Sequence, residues 1–229
     1  MLKKNLNIIL ILSLLLVVPP LVYFYVTKGF NNFIKLEVIG VENHKIPDFS
    51  FINQDNEVIN QDTMLGNIYV ANFFFTNCPT ICPVMIKNMA YVQKKLSMYP
   101  NLRFISHTVD PQRDKPDVML SFVQKMKKKN VNIDLKNWDF VCGNDNDLYN
   151  IAKYYLVSAG AEDSLAPGGF IHSEYLVLID KEGRIRAGRD KNNQIVGAYI
   201  GTEESQMKEL VNDIKVLMAE YNRPTKKQK

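Results

Sequence analysis

The sequence predicts an α/β domain: a mixed sheet with helices on both of its faces. Three observations carry that expectation. Apolar runs at Ile68–Phe75, Leu102–Val109 and Trp138–Cys142 are each followed by an amphipathic stretch with apolar residues three and four apart, the alternation of strand–helix units. Ser173–Asp180 and Arg184–Arg189 flank the turn Lys181-Glu182-Gly183, a hairpin that adds antiparallel strands. Finally, Thr202–Tyr221 sets Met207, Leu210, Val211, Ile214, Leu217 and Met218 on one side, as a helix covering a sheet face does.

The 229 residues suit one domain with appendages, long enough to bury a core without staples. The expected divisions are an N-terminal membrane anchor (1–27), a tether (28–45), the folded domain (46–221) and a basic tail (222–229). Leu6–Val26 contains no charged residue and is about long enough to cross a hydrocarbon core, although Pro19 and Pro20 will kink or shorten a helix there. Its far end, Leu21–Val26, is bulky and aromatic. That argues for a retained anchor over a cleaved signal, which would end in small residues. Lys3 and Lys4 precede the span, so the expectation is a single-pass protein of the inner (plasma) membrane with its domain on the extracytoplasmic, periplasmic side. The net charge of +4 lies largely at the two ends. No basic patch is interleaved with aromatics, which excludes a nucleic-acid partner. Three cysteines are too few, and odd in number, for a disulfide-stapled scaffold.

Within the domain, Asp48–Asn53 and Glu57–Asn60 read as a short hairpin and Gly66–Asn67 as a turn. Ile68–Phe75 is the first buried strand. Thr80–Tyr99 is a helix with Ile81, Val84, Met85, Met89, Val92 and Leu96 at helical spacing. Its methionines read as core filler rather than thioether ligands. Leu102–Val109 is the second strand, and Asp110-Pro111-Gln112-Arg113-Asp114 a polar turn. Pro116 starts the next helix, whose Lys125 and Lys127–Lys129 suit its C-terminal end. Those lysines read as a solvated end, with docking of an acidic partner as the alternative. After the strand Trp138–Cys142, Asn144 or Asp145 caps a helix reaching Tyr155. Leu156–Ile171, with Pro167-Gly168-Gly169, is an irregular loop.

The chemistry concentrates at Cys78 and Cys82, where the first strand gives way to a helix. Cysteines four apart on a helical turn share a face. They can close a disulfide or present two thiolates to one soft metal ion. A helix N-terminus is expected to lower thiol pKa, and Pro79 and Pro83 are tolerated in or just before a first turn. Cys142 lies in an apolar strand and reads as core. Among the histidines, His44 reads as a solvated tether residue and His107 as a packed or hydrogen-bonded strand residue. His172 follows the glycine-rich loop and precedes a strand. In a fold of this kind it either joins the two thiols as a third ligand, giving a trigonal site suited to Cu(I) and adequate for Cu(II), or is an ordinary loop histidine.

Four segments then stand in a recognisable order: Phe75-Thr76-Asn77-Cys78-Pro79-Thr80-Ile81-Cys82-Pro83, Val109–Asp114, Trp138–Gly143, and Ile171-His172-Ser173 followed by a strand ending Leu178-Ile179-Asp180. With these the chain resembles the Sco/SenC family of copper chaperones of cytochrome c oxidase assembly, from about Pro47 to Tyr221. The resemblance implies a thioredoxin-like fold and copper held by Cys78, Cys82 and His172, with Cys78 and Cys82 also the redox-active pair. It implies delivery of copper to the dinuclear copper site of cytochrome c oxidase subunit II, or reduction of that site's cysteines, with a thioredoxin-like reductant as a further partner. That is a metallochaperone rather than an enzyme. The rival reading is a thioredoxin-like thiol–disulfide oxidoreductase without a copper role. Cys142 stands where the family often has a hydroxyl residue.

Overall fold

The computed structural model describes residues 12–23, 25, 35–157, 159–162, 170–189 and 192–222. The chain falls into two units, residues 1–35 and 36–229. In the first, residues 12–23 are helical (α1). Among the described residues no helix is long and apolar enough to cross a membrane. Of the expected span Leu6–Val26, residues 6–11, 24 and 26 lie outside the described residues.

The second unit runs β1 (Glu37–Ile39), β2 (Ser50–Asn53), β3 (Val58–Asn60), α2 (Gln61–Met64), β4 (Ile68–Phe74), α3 (Ile81–Lys95), β5 (Leu102–Thr108), α4 (Pro116–Lys128), β6 (Trp138–Cys142), α5 (Asp145–Tyr154), β7 (Ala159–Glu162), β8 (Phe170–His172), β9 (Tyr175–Ile179), β10 (Ile185–Ala187), β11 (Tyr199–Ile200) and α6 (Glu204–Tyr221). Its main sheet has the order β1-β10-β9-β4-β5-β6-β2-β3, with β11 on β9, while β7 pairs with β8 separately. β4, β5 and β6 are parallel neighbours and β9 joins β4 antiparallel. The sheet is therefore mixed, as the strand–helix alternation and the closing hairpin require. β4 is buried along its whole length, which is why it reads as a continuous apolar run.

The pleat sends Phe74, Thr108 and Phe140 to one face and Phe73, His107 and Val141 to the other. Phe122 of α4 packs on the first face, 5.7 Å from Phe74 between ring centroids. Tyr155, just after α5, packs on the second, 6.0 Å from Phe73 and 5.4 Å from His107. Helices thus cover both faces.

Two expectations change. The tether was expected to reach Lys45, but Glu37–Ile39 adds to the sheet edge against β10. A buried cation ties this stretch to the domain: Arg186, 1% exposed, donates to Leu36 O at 2.9 Å, Asp180 at 3.0 Å and Glu220 at 2.8 Å. The stretch Leu156–Ile171 is not wholly irregular, since it contains β7 and β8; Pro167-Gly168-Gly169 between them lies outside the described residues. α2 and β11 are too short to carry a periodic signal. Of the basic tail, residues 223–229 lie outside the described residues.

Candidate functional site

β4 ends where Thr76 and Asn77 turn the chain, and Cys78 N–H closes that turn on Phe75 O at 3.2 Å. α3 begins three residues later. A helix N-terminus leaves N–H groups without intrahelical partners, and Thr80, in the N-cap position, makes no side-chain cap. Instead Cys82 N–H donates to Cys78 Sγ at 3.4 Å. Pro83, next in line, has no N–H to satisfy. The first sulfur therefore occupies the place of a capping oxygen, and the second is carried by the residue it caps.

Both cysteines are buried, Cys78 at 6% and Cys82 at 0% exposure, and both are thiols. The hydrogen bond with Cys78, and then burial, push the Cys82 thiol far above its ordinary value. This corrects the expectation of a lowered pKa at this position: the helix N-terminus is outweighed by the adjacent sulfur and the loss of water. The Cys82 sulfur is therefore held in its thiol form.

Behind this turn lies a carboxylate that sequence reasoning missed. Asp114 is fully buried and accepts from Thr76 N–H at 3.0 Å, Thr76 Oγ1 at 2.5 Å and Thr108 Oγ1 at 2.6 Å. Burial still raises its pKa. Asp114 thus ties the segment carrying Cys78 to the end of β5. The polar turn Asp110–Asp114 was visible in the sequence; the partner that gives Asp114 its role was not.

Cys142 ends β6 and is buried, its thiol pushed up by burial, with Lys115 opposing and Asp114 reinforcing that shift. His107 is fully buried and neither ring nitrogen has a hydrogen-bond partner. Its ring is boxed by Phe49, Phe51, Phe73 and Tyr155, and burial lowers its pKa to about 3. It is a packed strand histidine, as expected. His44 is not simply solvated: its Nε2 lies 2.7 Å from Tyr154 O and its ring stacks on Tyr154, because Gly40 and Asn43, both at positive φ, fold the tether back onto α5.

The backbone of His172 ends β8, in register with Ala159; its side chain lies outside the described residues. The chain then enters β9, which runs antiparallel to β4 with Val177 opposite Ala71. That entry lies at the end of β4 from which the Cys78 turn departs. Among the described residues no group of three or more His, Cys, Asp or Glu side chains is placed to hold a metal ion. The described part of the site is therefore a buried dithiol at a helix head, with an imidazole-bearing segment arriving at the same end of the sheet.

The mixed α/β fold matches that of solved Sco proteins. The SCO1/SenC family profile matches residues 40–209. The chain is 30% identical over 179 residues to the SCO1 protein homolog of Bacillus subtilis (strain 168), covering 76% of this chain and 82% of that one. It is similar to BsSco, a Sco-family cytochrome c oxidase assembly protein whose structure was reported with a disulfide switch: TM-score 0.62, 28% identity, covering 78% of this chain and 95% of that chain. It shares its fold with Bradyrhizobium japonicum ScoI, solved with copper bound, at a TM-score of 0.55 and 18% identity, covering 73% and 98%. The match spans most of the folded domain and includes the Cys78–Cys82 turn, the Asp110–Asp114 turn and His172, and the chain belongs to the SCO1/SenC family.

Proposed function

We propose that this chain is a membrane-anchored copper chaperone. Cys78 and Cys82 hold the metal together with His172, and the protein delivers it to, or reduces the cysteines of, the dinuclear copper site of cytochrome c oxidase subunit II. The observation that carries the reading is the Cys82 N–H to Cys78 Sγ contact of 3.4 Å, which fixes two buried sulfurs at one helix head. Two thiolates and an imidazole form a soft, three-donor set that suits Cu(I). Burial excludes water and competing hard cations. A partner presenting its own thiolates takes the ion by ligand exchange. Thiol–disulfide exchange with a partner's disulfide passes two electrons and two protons to that partner, forms a Cys78–Cys82 disulfide and removes both sulfur donors, so redox state gates loading.

The uncharged stretch Leu6–Val26 after Lys3 and Lys4 supports a single-pass anchor with the domain on the extracytoplasmic side. The family's assembly role supports the partner. A thiol–disulfide oxidoreductase without copper remains the second reading, favoured by the buried dithiol itself. Reconstitution of the full chain with Cu(I) separates the two. One ion per chain in the wild type, lost in Cys78→Ser, Cys82→Ser and His172→Ala, supports the chaperone. Unchanged stoichiometry in His172→Ala, with disulfide turnover intact, leaves the reductase.

A further inference from the structure

The link from His172 into β9 is held by a run of polar contacts that ends on the helix carrying Cys82. Ser173 is buried, and its Oγ accepts from Tyr175 N–H at 3.0 Å. Between the two, Glu174 O accepts from Gly201 N–H at 2.7 Å, and Glu174 Oε2 accepts from Thr202 Oγ1 at 2.7 Å. Gly201 O in turn accepts from Asn88 Nδ2 at 2.8 Å. Asn88 is a buried residue of α3. An amide at such a position costs stability unless it is bonded, and the Gly201 carbonyl supplies that bond. The approach is close: a Cβ on Gly201 would stand 2.8 Å from Met85 Cγ and 2.9 Å from Glu174 O. Only glycine lets the two segments meet there without a shift.

These contacts span little chain. Met85 and Asn88 follow Cys82 on α3, about 4.5 Å and about 9 Å along the helix axis. Glu174 follows His172 by at most about 7 Å of extended chain. The β7–β8 pair that ends at His172 stands outside the main sheet, so the ladder of that sheet does not set its place. The nearest ladder begins at Tyr175 and Leu176, which pair with Ile200 and Tyr199 of β11. We infer, on the reading of His172 as the third donor, that Asn88, Thr202 and Glu174 are positioning residues: through Gly201 they lock the segment that carries His172 to the helix that carries Cys82. Hydrogen bonds are directional, so they fix the register of the two segments where apolar contact alone would let them slide. The backbone of His172 is then set relative to the thiols before a metal binds, and the ordering of that segment is not charged against affinity.

The test is a double-mutant cycle on the full chain in detergent, with Cu(I) affinity measured by competition against a chromogenic chelator. Thr202→Val, Glu174→Ala and Asn88→Ala are each expected to weaken binding about ten-fold, the lower end of what loss of an outer partner costs a metal site. Thr202→Ser, which keeps the hydroxyl, is expected to bind as the wild type does. In a His172→Ala background Thr202→Val is expected to change nothing further, because the contact acts through that residue. A second readout needs no metal: hydrogen exchange at Gly201 and Tyr175 in the metal-free protein is expected to quicken in Thr202→Val, while exchange at Ile105 in the central sheet holds. Equal weakening by Thr202→Val with and without His172 overturns the inference, since the contact would then serve the fold alone. So do unchanged affinity in the three single variants and unchanged exchange at Gly201 and Tyr175. Wild-type affinity in His172→Ala itself overturns the third-donor reading and the inference with it, whereas a loss there without coupling to Thr202 overturns the inference only.

Discussion

Thr76 donates twice to Asp114, through its N–H at 3.0 Å and its hydroxyl at 2.5 Å, and this pair anchors the turn that presents Cys78. Thr108 adds a third donor at 2.6 Å. An amide at position 114 would turn one donor group toward these donors. Asp114→Asn is therefore expected to cost about 1–3 kcal/mol, read by urea unfolding, and to lower Cu(I) affinity as the Cys78 turn loosens. Because burial raises the Asp114 carboxyl, the folded chain holds that proton more tightly than the unfolded one. Its contribution is complete below the ordinary carboxylate range and is lost as pH rises through the folded value. Asp114→Asn should remove that part of the pH slope; an unaltered slope would show the carboxylate to be inert.

His107 works in the opposite direction. Its pKa is lowered to about 3, whereas the unfolded chain protonates it near 6.5. Stability from this residue is complete above about pH 6.5 and falls as pH drops toward about 3, by up to about 1.4 kcal/mol per pH unit. His107→Phe would refill the box of Phe49, Phe51, Phe73 and Tyr155 without the two unpartnered nitrogens. The variant is expected to be at least as stable at neutral pH and to lose that acid sensitivity. Unfolding curves of both proteins at about pH 7 and about pH 5 decide the matter.

Arg186 joins three elements through Leu36 O, Asp180 and Glu220. Breaking a buried ion pair typically costs about 3–5 kcal/mol. Here the loss should be smaller, about 2–3 kcal/mol, because Arg184 still serves Asp180 at 2.8 Å and Glu220 can reach solvent. Arg186→Met is expected to release β1, seen as faster hydrogen exchange at Glu37–Ile39 than in the rest of the sheet. Uniform exchange across the sheet would mean that β1 holds by its backbone ladder alone.

How far the sequence could be read follows from where the signal lies. Strands and helices with long apolar periods, β4 through α5 and α6, stood within a few residues of their observed bounds, because burial on one or both faces writes itself into the pattern. β1 and β11 did not, since three- and two-residue strands are too short to carry a period and pair with strands distant in the sequence. The thiol pair was legible from spacing. The raised Cys82 thiol was not, because it depends on the neighbouring sulfur and on burial that no local pattern encodes. Asp114 was visible as a turn residue, but its bond to Thr76 spans 38 positions.

The helix ends offer a last prediction. α4 and α5 terminate alike: Val131 N–H returns to Met126 O and Asn130 N–H to Lys127 O, while Val157 N–H returns to Ala152 O and Leu156 N–H to Lys153 O. Both are Schellman turns, which place the residue after the C-cap in the left-handed region. At α4 that residue is Asn130, φ 63°; at α5 it is Leu156, φ 58°. Leucine pays about 1–2 kcal/mol there, and its side chain, 53% exposed, recovers little by packing. Leu156→Asn should therefore stabilise the domain by about 0.5–1 kcal/mol, measured by thermal unfolding, without touching the cysteines. A destabilised variant would mean that the leucine side chain makes contacts worth more than the backbone strain it imposes.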